Sequence, residues 1–368
     1  MPRLLLLVCA VCLATAFKIP ADWKWAGVVD HYVADHILSL RNSGQTEIRT
    51  TIDLGKSQSR VTLTPEGIAH EKSLLATWDE LIEIAEKRQG CWAVYDDGSK
   101  PWRVSALSKN TQIPASLCPP LGGKTGAPTM VLGGFTMHRI AGDGMNPTVD
   151  TAAKISAVSS ALFPGASVLD TCCGLGYTAI GAAEKVGGNG RVVSIELDEA
   201  SLEMCAYNPW SSGLFDGKLP IEVMQGDSCE ICKSLPDGVF NAIIHDPPAR
   251  ALCRKGLYSL DFYKSLRRLL KPSGTLFHYI GRFDSKESGS LYRGITERLH
   301  SAGFKTVKRR DSAFGLVATG LRESPLLRAD DYEHELGLEL ESAEEMEREM
   351  AQMPSSGRRS VFTRRRGK

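Results

Sequence analysis

Two stretches of this 368-residue chain combine residue types and spacings that could do chemistry. In Val168-Leu169-Asp170-Thr171-Cys172-Cys173-Gly174-Leu175-Gly176-Tyr177-Thr178-Ala179 an apolar run ends in an acid and turns through two glycines into a helical pattern. Glycines suit such a turn because the backbone must bend tightly and approach a ligand with no Cβ in the way. Glu196 closes the next apolar run, where a carboxylate can accept hydrogen bonds from ribose hydroxyls. Further on, Asn241-Ala242-Ile243-Ile244-His245-Asp246-Pro247-Pro248 ends a central strand in an acid and two prolines. The prolines fix the backbone so that Asp246 and a neighbouring carbonyl can face one point. A planar amino group needs that arrangement: two acceptors hold its hydrogens and aim the nitrogen lone pair at an electrophile.

The glycine turn by itself is open to two readings. Gly174-x-Gly176-x-x-Ala179, with Glu196 downstream, also fits the fingerprint of a dinucleotide site. Two features favour S-adenosylmethionine instead. Asp170 stands before the glycines, where it would repel a pyrophosphate but suits the ammonium of a methionine moiety. Gly226-Asp227 follows the third strand, where S-adenosylmethionine enzymes present a carboxylate to the adenine amino group. Nothing in the chain looks like a hydride-handling site. Lys154 and Asp150 are candidates to close over the cofactor, and His138-Arg139 to meet phosphate or to form a salt bridge. His278-Tyr279 should border the crevice, whereas strand alternation turns His245 to the opposite sheet face.

These residues need a framework of alternating strands and helices. Apolar runs at Ser167–Asp170, Arg191–Leu197, Ile221–Gln225, Phe240–His245 and Gly274–Ile280 read as strands. Helical patterns over Thr178–Val186, 198–207, 259–270 and 289–302 lie among them. The alternation predicts an α/β fold with a mostly parallel sheet and helices on both faces. Phe304–Lys308 and Phe314–Leu321, with no helix between them, should pair antiparallel. Upstream, 22–42 and Leu74–Lys87 read as helices, and Ile48–Ile52, Val61–Leu63, Cys91–Tyr95 and Trp102–Leu107 as short strands. Pro114–Pro128, rich in Pro and Gly, reads as a loop or linker. The expected organisation is therefore a small α+β domain over 20–125 and the sheet domain over 137–322.

Composition sets the outer bounds. The chain is 42% hydrophobic and 24% charged, which excludes a wholly disordered protein. Lys+Arg is 44 and Asp+Glu 43, so any surface for nucleic acid must be local. Ten cysteines are too few for a disulfide scaffold, and Cys229-x-x-Cys232 lacks the second pair or histidine that a metal site requires. Residues 1–16, with a basic start, an apolar run over Leu4–Cys12 and Ala14-Thr15-Ala16, read as a signal peptide cleaved after Ala16. The expected address is the secretory route, with the plastid of an alga with secondary plastids as one destination, and no lasting membrane association. At the other end, 323–368 holds an acidic segment and a basic tail.

Residues 137–321 resemble a class I S-adenosylmethionine-dependent methyltransferase, and in particular the archaeal-type predicted methyltransferases with an Asp-Pro-Pro motif. Met137-His138-Arg139, Asp150-Thr151 with Lys154, the Leu169–Ala179 turn, Asn208-Pro209-Trp210-Ser211, Ile244–Pro248, Leu257-Tyr258-Ser259 with Phe262-Tyr263, and Leu276–Gly281 carry the resemblance. The N-terminal segment, with Asp53-Leu54-Gly55, belongs to the same pattern. The resemblance implies a seven-stranded Rossmann-like methyltransferase sheet with a smaller N-terminal α+β domain. It implies that Asp170, Cys172, Gly174 and Gly176 cradle the methionine part of the cofactor, with Glu196 on the ribose and Asp227 on the adenine. Asp246, Pro247 and Pro248 would hold the acceptor amine, an exocyclic amino group of a base in RNA, with cytosine N4 favoured. The family continues Asp-Pro-Pro with an Arg and an aromatic residue, whereas this chain continues Ala249-Arg250-Ala251. Arg250 and Tyr279 are then the expected substrate contacts, with Tyr258 and Phe283 as further aromatics. The alternatives are a small-molecule amine, a protein amide, or aminopropyl transfer by a polyamine enzyme.

Overall fold

A computed structural model of the chain describes residues 15–16, 25–120, 122, 126–142, 144–248, 256–281 and 286–321. Arg250, Phe283, most of the expected signal peptide and the charged C-terminal segment lie outside the described residues.

The first part of the chain builds three small antiparallel sheets. In order come β1 (Thr15–Ala16), β2 (Gly27–Asp30), α1 (His31–Leu40), β3 (Glu47–Thr50), β4 (Ser59–Leu63), β5 (Gly67–His70), β6 (Ser73–Thr77) and α2 (Trp78–Glu86). Then follow β7 (Cys91–Val94), β8 (Trp102–Arg103), β9 (Ser105–Leu107), β10 (Pro114–Cys118), β11 (Thr129–Leu132) and β12 (Phe135–Thr136). The sheets run β2-β7-β8, β3-β4-β5-β6 and β9-β10-β11-β12.

Three expectations are corrected here. Residues 27–30 are a strand rather than the start of a helix, because Val28 and Val29 pair with Ala93 and Trp92 and the Asp30 carboxylate caps α1 through the Val33 amide at 2.9 Å. Helix α2 starts at Trp78 and not Leu74, where Thr77 and Glu80 close a capping box. Pro114–Cys118 is strand β10, paired on both sides with β9 and β11, so the Pro/Gly-rich stretch is only partly a loop.

The second part holds the large sheet. Helix α3 (Pro147–Ala157) leads into β13 (Ser167–Asp170), α4 (Tyr177–Val186), β14 (Arg191–Glu196), α5 (Glu199–Tyr207), β15 (Ile221–Gln225) and α6 (Ser228–Ser234). After these come β16 (Phe240–His245), α7 (Leu260–Leu269), β17 (Leu270–Tyr279), α8 (Lys286–Ser301), β18 (Phe304–Arg310) and β19 (Gly315–Leu321). Across the sheet the order is β1-β15-β14-β13-β16-β17-β19-β18, and β19 is antiparallel to both its neighbours. Seven strands match the expected methyltransferase sheet; Thr15–Ala16 adds a two-residue antiparallel edge against Met224 and Gln225.

The chain reverses direction across the sheet beside β13, between β14 and β16, and this topological switch opens the crevice at the strands' carboxyl ends. One apolar core, including Val28, Leu117, Val168 and Phe277, is continuous from the N-terminal sheets to the large sheet. The two parts are joined by polar contacts as well: Trp25 donates to the Ala206 carbonyl at 3.0 Å and Trp210 to the Leu54 carbonyl at 3.1 Å.

Candidate active site

A cavity lies at the carboxyl ends of β13, β14, β15 and β16, the place where open α/β sheets bind ligands. Cys172, Gly174, Glu196, Asp227, Asp246, Pro247 and Pro248 all border it. The two sequence motifs, about 70 residues apart in the chain, therefore meet at one hollow because parallel strands deliver their carboxyl ends to the same edge.

The glycines divide the work. Gly174 has a left-handed φ of +54° and would point a Cβ into open space, so its backbone faces the cavity bare. Gly176, at φ +76°, does not border the cavity; a Cβ there would lie 2.3 Å from Leu214 Cδ1. Its role is to let Leu214 pack onto the turn and to start α4. Of the two glycines expected to cradle the ligand, Gly174 borders the cavity and Gly176 stands behind it.

Asp170 also departs from expectation. It is fully buried, stands behind the cavity wall, and accepts hydrogen bonds from Ser194 Oγ at 2.6 Å and Thr178 Oγ1 at 3.2 Å. Strand alternation and the inward turn of the carboxylate make it a brace for the turn. Burial pushes its carboxyl up to about 7. Glu196 does face the cavity, with Oε2 accepting from the Gly174 amide at 2.8 Å and Oε1 from the Asp198 amide at 2.9 Å. Burial raises Glu196 to about 7 as well. Asp227 caps α6 through the Cys229 amide at 2.8 Å and borders the cavity beside it.

Both raised carboxyls bind a proton in the folded chain that they shed in the unfolded one between their ordinary values and about 7. Stability of the cofactor-free protein should therefore fall as pH rises through that window and level off above it. Asp170→Asn removes one of the two groups, so its melting temperature should fall less steeply from pH 5 to 8 than that of the wild type. Parallel slopes in a fluorimetric melt series would count against this.

The acceptor end of the cavity holds a buried charge network. Lys154 Nζ donates to Asp246 Oδ2 at 2.6 Å and lies 3.0 Å from Asp150 Oδ2. Asp150 in turn pairs with the Arg139 guanidinium. Lys154 also stands over the Tyr279 ring, 4.6 Å from its centroid. Tyr279 thus touches the network and does not itself border the cavity. Of the pair expected to close over the cofactor, Lys154 borders the cavity beside Asp246 and Asp150 stands behind it. The sequence singled out Asp150, Lys154 and a salt bridge at Arg139, and what it left without a signal is the pairing of Lys154 with Asp246.

The histidines sort by face. His245 is buried away from the cavity, in contact with Thr171 Oγ1 at 2.7 Å and the Leu257 carbonyl at 3.0 Å. Burial drives it down to about 3, so it stays neutral. His278 is likewise buried, 2.9 Å from the Tyr263 hydroxyl. His138 borders the cavity, and burial together with Lys154 holds it at about 3. Cys229 and Cys232 are free thiols, each pushed up to about 12 by burial.

The N-terminal part closes the cavity from above, a role with no sequence signal. Thr111 and Ile113, in the turn between β9 and β10, line it. Glu199 latches this turn, accepting from the Lys109 amide at 2.8 Å and from Asn110 Nδ2 at 2.7 Å. Thr111 Oγ1 reaches Asp198 at 3.3 Å.

A model described as "Methyltransferase domain" matches residues 162–295. The uncharacterized protein MJ1233 of Methanocaldococcus jannaschii is 36% identical over 301 residues, spanning 80% of this chain and 96% of that protein. The chain belongs to the class I S-adenosylmethionine-dependent methyltransferases. Polyamine aminopropyltransferase 2 of Streptomyces coelicolor is 28% identical over 127 residues, 33% of this chain and 23% of that protein. Among solved structures, spermidine synthase from Thermotoga maritima aligns with a TM-score of 0.46 at 15% identity, over 60% of this chain and 72% of that one.

The methyltransferase's cavity fits S-adenosylmethionine by its donor set. Gly174 leaves room for close approach, Glu196 suits ribose hydroxyls and Asp227 suits an adenine amino group. Removing the latch should loosen this end: Glu199→Ala is expected to weaken cofactor binding on the order of threefold to tenfold, the range of a lost charge-assisted hydrogen bond at a partly solvated site. Isothermal titration with S-adenosylmethionine checks it; an unchanged Kd would show that the turn contributes nothing to binding.

Proposed function

We propose that this methyltransferase transfers a methyl group to an exocyclic amino group of a base in RNA, with cytosine N4 the favoured acceptor. One observation carries the reading: Asp246-Pro247-Pro248 borders the same cavity as the glycine turn, with Asp246 held by a lysine.

Asp246 keeps 17% of its side-chain surface accessible, and Oδ1 has no hydrogen-bond partner among the described residues. Among the described residues nothing competes for that oxygen, and we assign it to an amino hydrogen of the substrate. S-adenosylmethionine supplies a methyl group already activated by its positive sulfur. The chain's residues orient the amine and exclude water, so positioning provides most of the rate. As the N–C bond formed, the S–CH3 bond would break with its electron pair left on sulfur as a neutral thioether, and the nitrogen would shed one hydrogen as a proton, which Asp246 stands to receive.

The charge balance favours a neutral acceptor. Arg139 and Lys154 offset Asp150 and Asp246 one for one, so among the described residues the acceptor end, as distinct from the Glu196 and Asp227 end, offers no uncompensated carboxylate to a polyamine ammonium. That weighs against aminopropyl transfer, the activity named for the Streptomyces relative. Support for a polyanionic substrate comes from β18, the outermost strand. Lys305, Lys308, Arg309 and Arg310 are exposed along it, and Arg310 pairs with Gly315, itself opposite Tyr279 at the crevice end.

The test is transfer of radiolabelled methyl from S-adenosylmethionine to total RNA, total protein and a small-molecule extract, followed by nucleoside mass spectrometry. Label in RNA as N4-methylcytidine supports the proposal. Label confined to protein or small amines would sink it and keep the methyltransferase.

A further inference from the structure

We infer that Lys154 is a positioning residue of the acceptor site, which anchors one oxygen of Asp246 and leaves the other, Oδ1, to receive the substrate amine. The inference rests on the proposed role of Asp246, whatever molecule carries the amine.

Lys154 is the unusual member of the network. It projects from α3, is 1% exposed, and its ammonium has three hydrogens to satisfy inside the protein. Two go to carboxylates, Asp246 at 2.6 Å and Asp150 at 3.0 Å, and the Tyr279 ring covers another side at 4.6 Å. A buried lysine is retained only where its partners repay desolvation, and half of that repayment here comes from the residue at the end of the Asp-Pro-Pro strand. The residues lie 92 positions apart, so the contact is a product of the fold and not of helix geometry.

The arrangement has a chemical consequence. A carboxylate on a rigid strand exit can still rotate about its terminal torsion. Anchoring Oδ2 removes that freedom and leaves Oδ1 with a defined direction. Lys154 also favours the ionised form, which accepts two hydrogen bonds where the protonated form would spend one oxygen as a donor. The charged and titratable groups around Asp246 are Lys154 and Asp150 from α3, Arg139 from the segment before it, Tyr279 from β17 and Asp170 from β13. Burial and Asp150 push Asp246 up, and Lys154 is the foremost influence that brings it back down.

Two variants of the full chain separate positioning from mere support. Lys154→Met leaves two buried carboxylates facing each other and can fail to fold for that reason. Lys154→Met combined with Asp150→Asn removes the surplus charge and restores neutrality. The protein is labelled with 13C at aspartate carboxyls, and the Asp246 resonance is assigned by its absence in Asp246→Asn. The Asp246 titration midpoint is expected to move up by about one pH unit or more in the double variant relative to Asp150→Asn alone, because Asp150 itself pushes Asp246 up. Turnover of the best acceptor found in the labelling experiment should fall roughly 100-fold at pH 7 and recover in part at higher pH, with KM for S-adenosylmethionine nearly unchanged.

An unchanged midpoint, or a folded double variant with wild-type turnover, overturns the inference. If label reaches only protein or small amines, the RNA reading falls while the carboxyl titration still decides the role of Lys154.

Discussion

Asp246→Asn is expected to lower methyl transfer by on the order of 10²–10³-fold while leaving cofactor binding within a few-fold of wild type. The amide has nearly the shape of the carboxylate, and its oxygen can still accept from Lys154 at the position of Oδ2. What changes is the atom that faces the cavity: an NH2 group donates where a carboxylate oxygen accepts. Two donors would then oppose each other at the acceptor amine, and the nitrogen lone pair would lose its aim. Because Glu196 ends β14 and Asp227 caps α6, both apart from the end of β16, S-adenosylmethionine affinity should hold. Single-turnover kinetics with isothermal titration separates the two quantities. A kcat within threefold of wild type would remove Asp246 from the acceptor site, and a matching loss of cofactor affinity would move it to the cofactor.

The second large effect is on stability. Gly176→Ala puts a Cβ 2.3 Å from Leu214 Cδ1, closer than any real contact, on a backbone at φ +76°. The left-handed conformation costs about 1–2 kcal/mol for an L residue, and overpacking a well-filled turn adds about 1–3 kcal/mol. Denaturant unfolding should therefore show a loss of several kcal/mol in sum. Adding Leu214→Ala relieves the clash but not the φ, so the double variant should regain part of the loss after allowance for the cavity that Leu214→Ala alone leaves. Strictly additive losses would show that the leucine yields freely and that the backbone conformation alone selects glycine. Gly174 makes the contrast: its φ of +54° exacts the same backbone cost, but its Cβ would meet nothing within 4 Å, so Gly174→Ala should affect ligand approach more than stability.

The sequence by itself determined the α/β repeat, the turn between β13 and α4, and the acid and prolines that end β16. Each is a local pattern with a local cause. Four-to-six-residue apolar runs form buried parallel strands, glycines allow φ above zero, and Pro247 ends the ladder because it has no N–H to donate. Strands β13, β15 and β16 begin and end where their runs do. The antiparallel pairing of β18 with β19 was legible for the same reason, since no helix separates them.

The tertiary structure decided what local patterns cannot encode. Val28 and Val29 lie at helical spacing with Val33 and Ile37, yet they form a strand because Cys91–Val94 offers a partner to their backbone. Asp170 reads as a ligand contact until Ser194 and Thr178 are seen to hold it inside. Gly176 reads as a ligand glycine until Leu214, far along the chain, arrives at its Cα. The pairing of Lys154 with Asp246 depends on how α3 packs against the end of β16. Side-chain periodicity specifies which face of an element is buried, but the partner on that face, and so the charge state of a buried acid, is set only when separate elements pack together.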